Sequence, residues 1–176
     1  GVEGTHFLGN SLSTVRLLAH AGARYMTLTH ICHSAFASSN GAGGPMKVVH
    51  PGNGLTDLGR ELIKELNRLG IMIDLSHTSD ETALQAIVLS KAPVVWTHSG
   101  SRSIWDHPRN IPDAILSKIG DGPGRRPGIV HSVFYPPFIG PVDSADTPRV
   151  ADHIEYIARN VGKKHVGIGS DFDGMY

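Results

Sequence analysis

Disulfides, membrane-spanning runs and an excess of one charge are all missing from this sequence. One cysteine, Cys32, among 176 residues excludes an internal disulfide and points mildly to a reducing compartment. No apolar run approaches the ~18 residues that a spanning helix needs. Sixteen Lys and Arg balance sixteen Asp and Glu, for a formal net charge of zero, so there is no electrostatic case for nucleic acid or an anionic membrane as partner. The nearest thing to a basic patch, Arg125-Arg126, is flanked by Gly and Pro and reads as a solvated turn. The chain does not open with Met, and it stops at Tyr176 directly after a strand-like run. It therefore reads as a segment of a longer protein, and its lack of a signal-like N-terminus says little about location. Its length is that of one domain with a real core.

Histidine is the abundant residue. There are eleven, and three of them end short apolar runs that read as strands: Arg24–His30 (RYMTLTH), Ile71–His77 (IMIDLSH) and Pro93–His98 (PVVWTH). His165–Asp171 (HVGIGSD) ends on Asp171, and Gly1–Gly4 (GVEG) puts Glu3 in a comparable place. Gly128–Tyr135 (GIVHSVFY) is a further strand, with His131 as core or a supporting residue. His20, His153 and His165 sit in or beside helices and need no special role, while His50 and His107 lie in loops where solvent exposure is expected.

Amphipathic helices separate these strands. Leu55–Leu69 carries a leucine and isoleucine stripe at helical spacing, with Thr56 as N-cap, Asp57 at the positive end and Gly70 beyond the last turn. Ser11–Ala21 has Val15, Leu18 and Ala19 on one face and Gly22 after it. Thr78 and Glu81 read as a capping box for a helix through Lys91. Asn110–Ile119 reads as a short helix with Pro112 in its first turn, and Thr147-Pro148 opens a helix striped by Val150, Ile154, Ile157, Ala158 and Val161. The loop Ile31–Gly54 is long and Gly-rich, as functional lids often are, and it includes His33. Five strands and a stub, in alternation with helices, predict an α/β fold. They fit about the third to eighth strands of a (β/α)8 TIM-type barrel, as a single partial domain over residues 1–176.

Catalytic groups of such a barrel gather at the C-terminal ends of its strands. Glu3, His77 and His98 would there form a His-His-Glu set of the kind that holds a hydrolytic zinc, whose bound water becomes hydroxide near neutral pH. Asp171 suits a general acid or base, with Asp173 as its partner or as part of an Asx turn before Gly174. Arg109 fits a carboxylate clamp and a surface arginine equally well on local sequence. Asp74, of opposite strand parity to His77, reads as structural.

The segments GVEG, LTH, ELNRLG with IDLSH, THS, RN before IPD, and GIGSDFDG occur here in one order. Together they resemble the membrane (renal-type) dipeptidase family of zinc peptidases, over essentially the whole chain. The resemblance implies an amidohydrolase-like barrel with two zinc ions that hydrolyses dipeptides, with β-lactam opening as a side activity. It implies that Glu3 bridges the zincs and that His77 and His98 bind one of them. His30 would stabilise the tetrahedral oxyanion, Arg109 would hold the substrate's C-terminal carboxylate, and Asp171 would carry the proton to the leaving amine. The family takes a His-x-Asp pair from its first strand as further ligands, and no such pair precedes Glu3 here. Val133-Phe134-Tyr135 stands where the family has Asn-Phe-Tyr. The expectation is therefore at most one tightly bound zinc and little or no peptidase activity for this segment alone, unless a homodimer replaces the missing ligands. The alternatives are another metal-dependent amidohydrolase, acting on a lactam or cyclic amide, and a non-catalytic barrel remnant.

Overall fold

The computed structural model of the chain describes residues 1–41 and 54–175. Half of the lid read from the sequence, residues 42–53 with His50 among them, lies outside the described residues. The chain divides into two compact units, Gly1–Val94 and Val95–Tyr176.

The first unit contains α1 (Leu12–His20), β1 (Tyr25–Thr27), α2 (Asp57–Leu69), β2 (Met72–Asp74) and α3 (Asp80–Leu89). β1 and β2 pair in parallel, with Met26 opposite Ile73 and Thr27 opposite Asp74. Val2 bridges Met26, also in parallel, so the N-terminal stub is held beside β1. The helix that sequence reads most clearly forms as expected. Leu62, Ile63 and Leu66 of α2 are fully buried, Thr56 Oγ1 accepts from Gly59 N at 3.0 Å, and Gly70 closes the helix at φ 71°. Gly59 is required for another reason: a Cβ there would collide with the Phe36 carbonyl, so the first turn of α2 packs directly on backbone.

The cap of α3 lies one residue later than the sequence suggests. Ser79 is the N-cap, its Oγ accepting from Thr82 N at 3.1 Å. Thr78 is committed to the preceding turn, where its hydroxyl donates to Leu75 O at 2.7 Å.

The second unit contains β3 (Val94–Ser99) from its second residue onward, α4 (Asp113–Leu116), β4 (Gly128–Ser132), α5 (Pro136–Ile139), α6 (Thr147–Val161) and β5 (Val166–Ile168). Its strands lie in the order β3, β4, β5, and β4 pairs with β5 in parallel. Trp96, Val130, Ile115, Leu116, Ile119, Ile139, Ile157 and Val161 form its core. The helix expected over Asn110–Ile119 shrinks to α4, because Ile111 pairs with the segment after β3: Ile111 N donates to Gly100 O at 2.9 Å, and Ile111 bridges Ser101 in parallel. α6 opens at Thr147, as read, and Asp146 caps it, accepting from Arg149 N at 3.0 Å. β5 ends at Ile168, and Phe172–Gly174 is a 3-10 turn, so Asp171 and Asp173 do not share a strand face.

Candidate metal centre

Register sets the first cluster. His30 and His77 stand equally far beyond the paired residues Thr27 and Asp74, so the parallel ladder brings them to the same level. Their imidazole centroids are 4.5 Å apart in an edge-on arrangement. Glu3, next to the Val2 bridge, reaches both: Oε1 is 3.2 Å from His77 Nε2 and Oε2 is 3.8 Å from His30 Nε2. One ligand atom from each residue lies within 4.8 Å of the other two, and among the described residues this is the one group of three such side chains so close together.

Tetrahedral zinc, with bonds of about 2.0–2.2 Å, separates its ligand atoms by about 3.3–3.5 Å. The two Glu3–His separations, 3.2 and 3.8 Å, are near that value, although each runs to a different oxygen of the carboxylate. The donors are two imidazole nitrogens and one carboxylate oxygen, a combination that hydrolytic zinc uses. His77 is buried, whereas the side chains of Glu3 and His30 are 46% and 44% exposed. The cluster is therefore open to solvent on the Glu3–His30 side.

Local backbone supports this placement. Gly4 has φ 79°, and a Cβ on it would lie 3.3 Å from His30 Cβ, which leaves little room beside the cluster. Asp74 is structural, as read from the sequence. It is fully buried, accepts from Thr27 Oγ1 at 2.7 Å and Ser76 N at 3.0 Å, and so pins the two strand ends. Among the described residues three non-glycine side chains have left-handed backbone: Asn10, His77 at φ 66° and Asp171 at φ 62°. Two of them are site residues read from the sequence, and local strain of this kind collects at functional positions.

The second unit carries His98, Arg109 and Asp171. His98 is buried near the end of β3, with its Nδ1 2.9 Å from Thr97 Oγ1, a contact that orients the ring. Arg109 is not a surface residue: it is 2% exposed. Its Nη2 donates to His98 O at 3.1 Å, and its guanidinium lies 5.0 Å over the Phe138 ring. Asp171 precedes the 3-10 turn, with its carboxylate folded close to Gly174.

Around Arg109 lie residues that sequence did not single out. Asn110 Oδ1 accepts from Gly100 N at 2.9 Å, while its Nδ2 donates to Trp105 O at 2.9 Å and Phe138 O at 2.7 Å. His153, read from sequence as a helix histidine of no special role, is fully buried. Its Nδ1 accepts from Ser101 N at 2.9 Å, which leaves Nε2–H to donate to Ile139 O at 3.1 Å. Burial holds its pKa below the ordinary value, against the opposing pull of the Ile139 carbonyl. His107 is half-buried against Phe138, not solvent-exposed as expected. Burial and the charges of Arg109 and Arg102 lower its pKa. His165 is also buried, its Nδ1 2.8 Å from Gly128 O. The signal for His153 was present: it stands three after Val150 and four before Ile157, on the apolar stripe of α6.

A family model described as membrane dipeptidase, peptidase family M19, matches residues 1–176. Among curated proteins, dipeptidase verJ of Clonostachys rogersoniana is 41% identical over 178 residues, covering 99% of this chain and 42% of that protein. Dipeptidase aclJ of Aspergillus oryzae is 39% identical over 177 residues, covering 99% and 40%. Among solved structures, an amidohydrolase from Pseudomonas aeruginosa superposes with a TM-score of 0.82 at 28% identity, over 97% of this chain and 49% of that one. A metallo peptidase from Rhodobacter sphaeroides, liganded with a phosphinate mimic of the dipeptide L-Ala-D-Ala, does so at 0.77 and 28% identity, over 99% and 50%. The chain thus has the fold of these proteins, as the α/β barrel segment read from its sequence requires, and spans about two fifths of the curated relatives' length.

Proposed function

The chain belongs to the membrane dipeptidase family, peptidase family M19, and on that premise we propose that the protein it forms part of is a zinc-dependent dipeptidase. The observation that carries this reading is the convergence of Glu3, His30 and His77 within 4.8 Å. Both relatives named above are dipeptidases, and the Rhodobacter sphaeroides metallo peptidase holds a dipeptide mimic.

Glu3 and His77 would hold the zinc, with His98 as a further ligand, and a zinc held there would supply a water of lowered pKa and polarise the scissile carbonyl. His30, half-exposed at the cluster, is in reach of substrate and would donate a hydrogen bond to the oxyanion as it develops. Asp171 would take the proton from the attacking water and give it to the leaving amine. Arg109 would pair with the substrate's terminal carboxylate through its fork. Its contact with His98 O gives it a second task, holding the end of β3. Of the zinc ligands in this chain, Glu3 and His77 come from the first unit, and we propose that the chain by itself holds one metal and turns over dipeptides poorly.

The test is a substrate panel on the whole protein that carries this chain, comparing dipeptides, their C-terminal amides and lactams. Dipeptides with a free carboxylate should be preferred, and Arg109→Ala should lower their kcat/KM by about 10- to 150-fold, the loss of a charged hydrogen-bond pair, while sparing the amides. Equal losses for both would reduce Arg109 to its structural hold on β3 and overturn the clamp, and a preference for lactams would assign the site to a different amidohydrolase chemistry.

A further inference from the structure

The backbone carbonyls of His30 and His77 are both taken up by donors from one stretch of chain. Ser39 Oγ donates to His30 O at 2.6 Å. Asn40 N donates to His77 O at 2.9 Å, and Thr29 Oγ1 donates to the same carbonyl at 3.1 Å. Ser39 is 5% exposed and Thr29 is fully buried, so water does not compete for these bonds.

The stretch is itself anchored. Ser39 forms an antiparallel bridge with Thr78, and Ser39 N donates to His33 Nδ1 at 3.0 Å. Ser38 O accepts from Ser79 N and Thr82 Oγ1, each at 2.9 Å. The residues flanking His77 are thereby tied to those that follow His30. His77 sits at φ 66°, where a non-glycine residue stays only if its surroundings hold it.

We propose that Ser39 and Thr29 are positioning residues for the metal centre: a hydroxyl splint that fixes the spacing of the His30 and His77 imidazoles before a metal arrives. This rests on the metal-centre reading given above. Neither residue touches metal or substrate. Each acts by fixing the backbone from which a histidine side chain projects, so that ordering the two rings is not charged against metal binding. Partners beyond the ligands themselves commonly set affinity in this way.

The experiment is a Co2+ titration of the full chain, followed by visible absorption, with Ser39→Ala, Thr29→Val, and the hydroxyl-retaining Ser39→Thr and Thr29→Ser. Loss of either hydroxyl should weaken Co2+ binding by about 10- to 100-fold, the usual range for supporting residues, and the retaining variants should recover most of it. The metal-free chain gives an independent reading: the NOE between the His30 and His77 Hε1 protons should weaken in Ser39→Ala and Thr29→Val and persist in the retaining pair. Thr29→Val is close to isosteric and stands in if Ser39→Ala fails to fold. Folded variants with unchanged Co2+ affinity and an unchanged NOE would overturn the proposal. A wild-type chain that took up no Co2+ would count against the proposed function, and the NOE comparison would still decide this inference.

Discussion

His153 provides a test of how the second unit is held together. The side chain is fully buried and joins α6 to Ser101 N, just after β3, and to Ile139 O at the end of α5. His153→Ala strands a buried donor and an acceptor, at about 1–3 kcal/mol each, and leaves a cavity. The two groups together cost about 2–6 kcal/mol, and the cavity adds to it. His153→Gln offers an acceptor and a donor of similar reach and should cost about 1–2 kcal/mol, an isolated loss of geometry. The two variants also differ from wild type in pH response. The folded-state pKa of His153 lies below its ordinary 6.5, so below pH 6.5 the unfolded chain binds a proton that the folded chain refuses. Stability is present above pH 6.5 and falls as pH drops through the window beneath it, by at most about 1.4 kcal/mol per pH unit for one group. Urea unfolding at pH 7.5, 6.5 and 5.5 measures both effects. Wild type should lose more stability than His153→Gln across that range, the remaining slope including the like-signed shift of His107. Equal slopes, or an Ala variant within about 1 kcal/mol of wild type, would refute the reasoning.

The first unit gives three further expectations. Leu62→Ala, at a fully buried position of α2, should cost about 2–5 kcal/mol in the same unfolding assay. Gly59→Ala should destabilise by about 1–3 kcal/mol or more, because its Cβ meets the Phe36 carbonyl. Glu65 is bonded to Arg68 and Arg16, which lower its pKa from 4.5 to about 2. That stabilisation is complete above pH 4.5 and disappears as pH falls toward 2. Because both arginines are more than half exposed, Glu65→Gln should cost about 1 kcal/mol at neutral pH, decreasing with salt.

Sequence revealed elements whose local and tertiary preferences agree. α2 has an apolar stripe, a threonine cap and a terminal glycine, and all three perform as read. It failed where groups bond to partners distant in sequence or where proline hid a helix. α4 is short because Ile111 pairs with Gly100 rather than turning into helix. α5 went unread because two prolines masked it, although Pro136 and Pro137 stand in the helix's first turn, where proline is tolerated. In the site, strand ends flagged Glu3, His30 and His77, because parallel register turns equal offsets into proximity. The loop donors Ser39, Asn110 and Thr29 carry no such periodicity. Their significance depends on which carbonyl lies opposite, and that is a property of the folded chain.

The proposal that Glu3 and His77 hold a metal at the cluster they form with His30 is tested most directly by metal stoichiometry on the purified chain. Zinc content after equilibrium dialysis, measured in parallel for Glu3→Gln and His77→Ala, should show one tightly held ion per chain that both substitutions abolish. A chain that retains no zinc, or one whose zinc survives both substitutions, would contradict it.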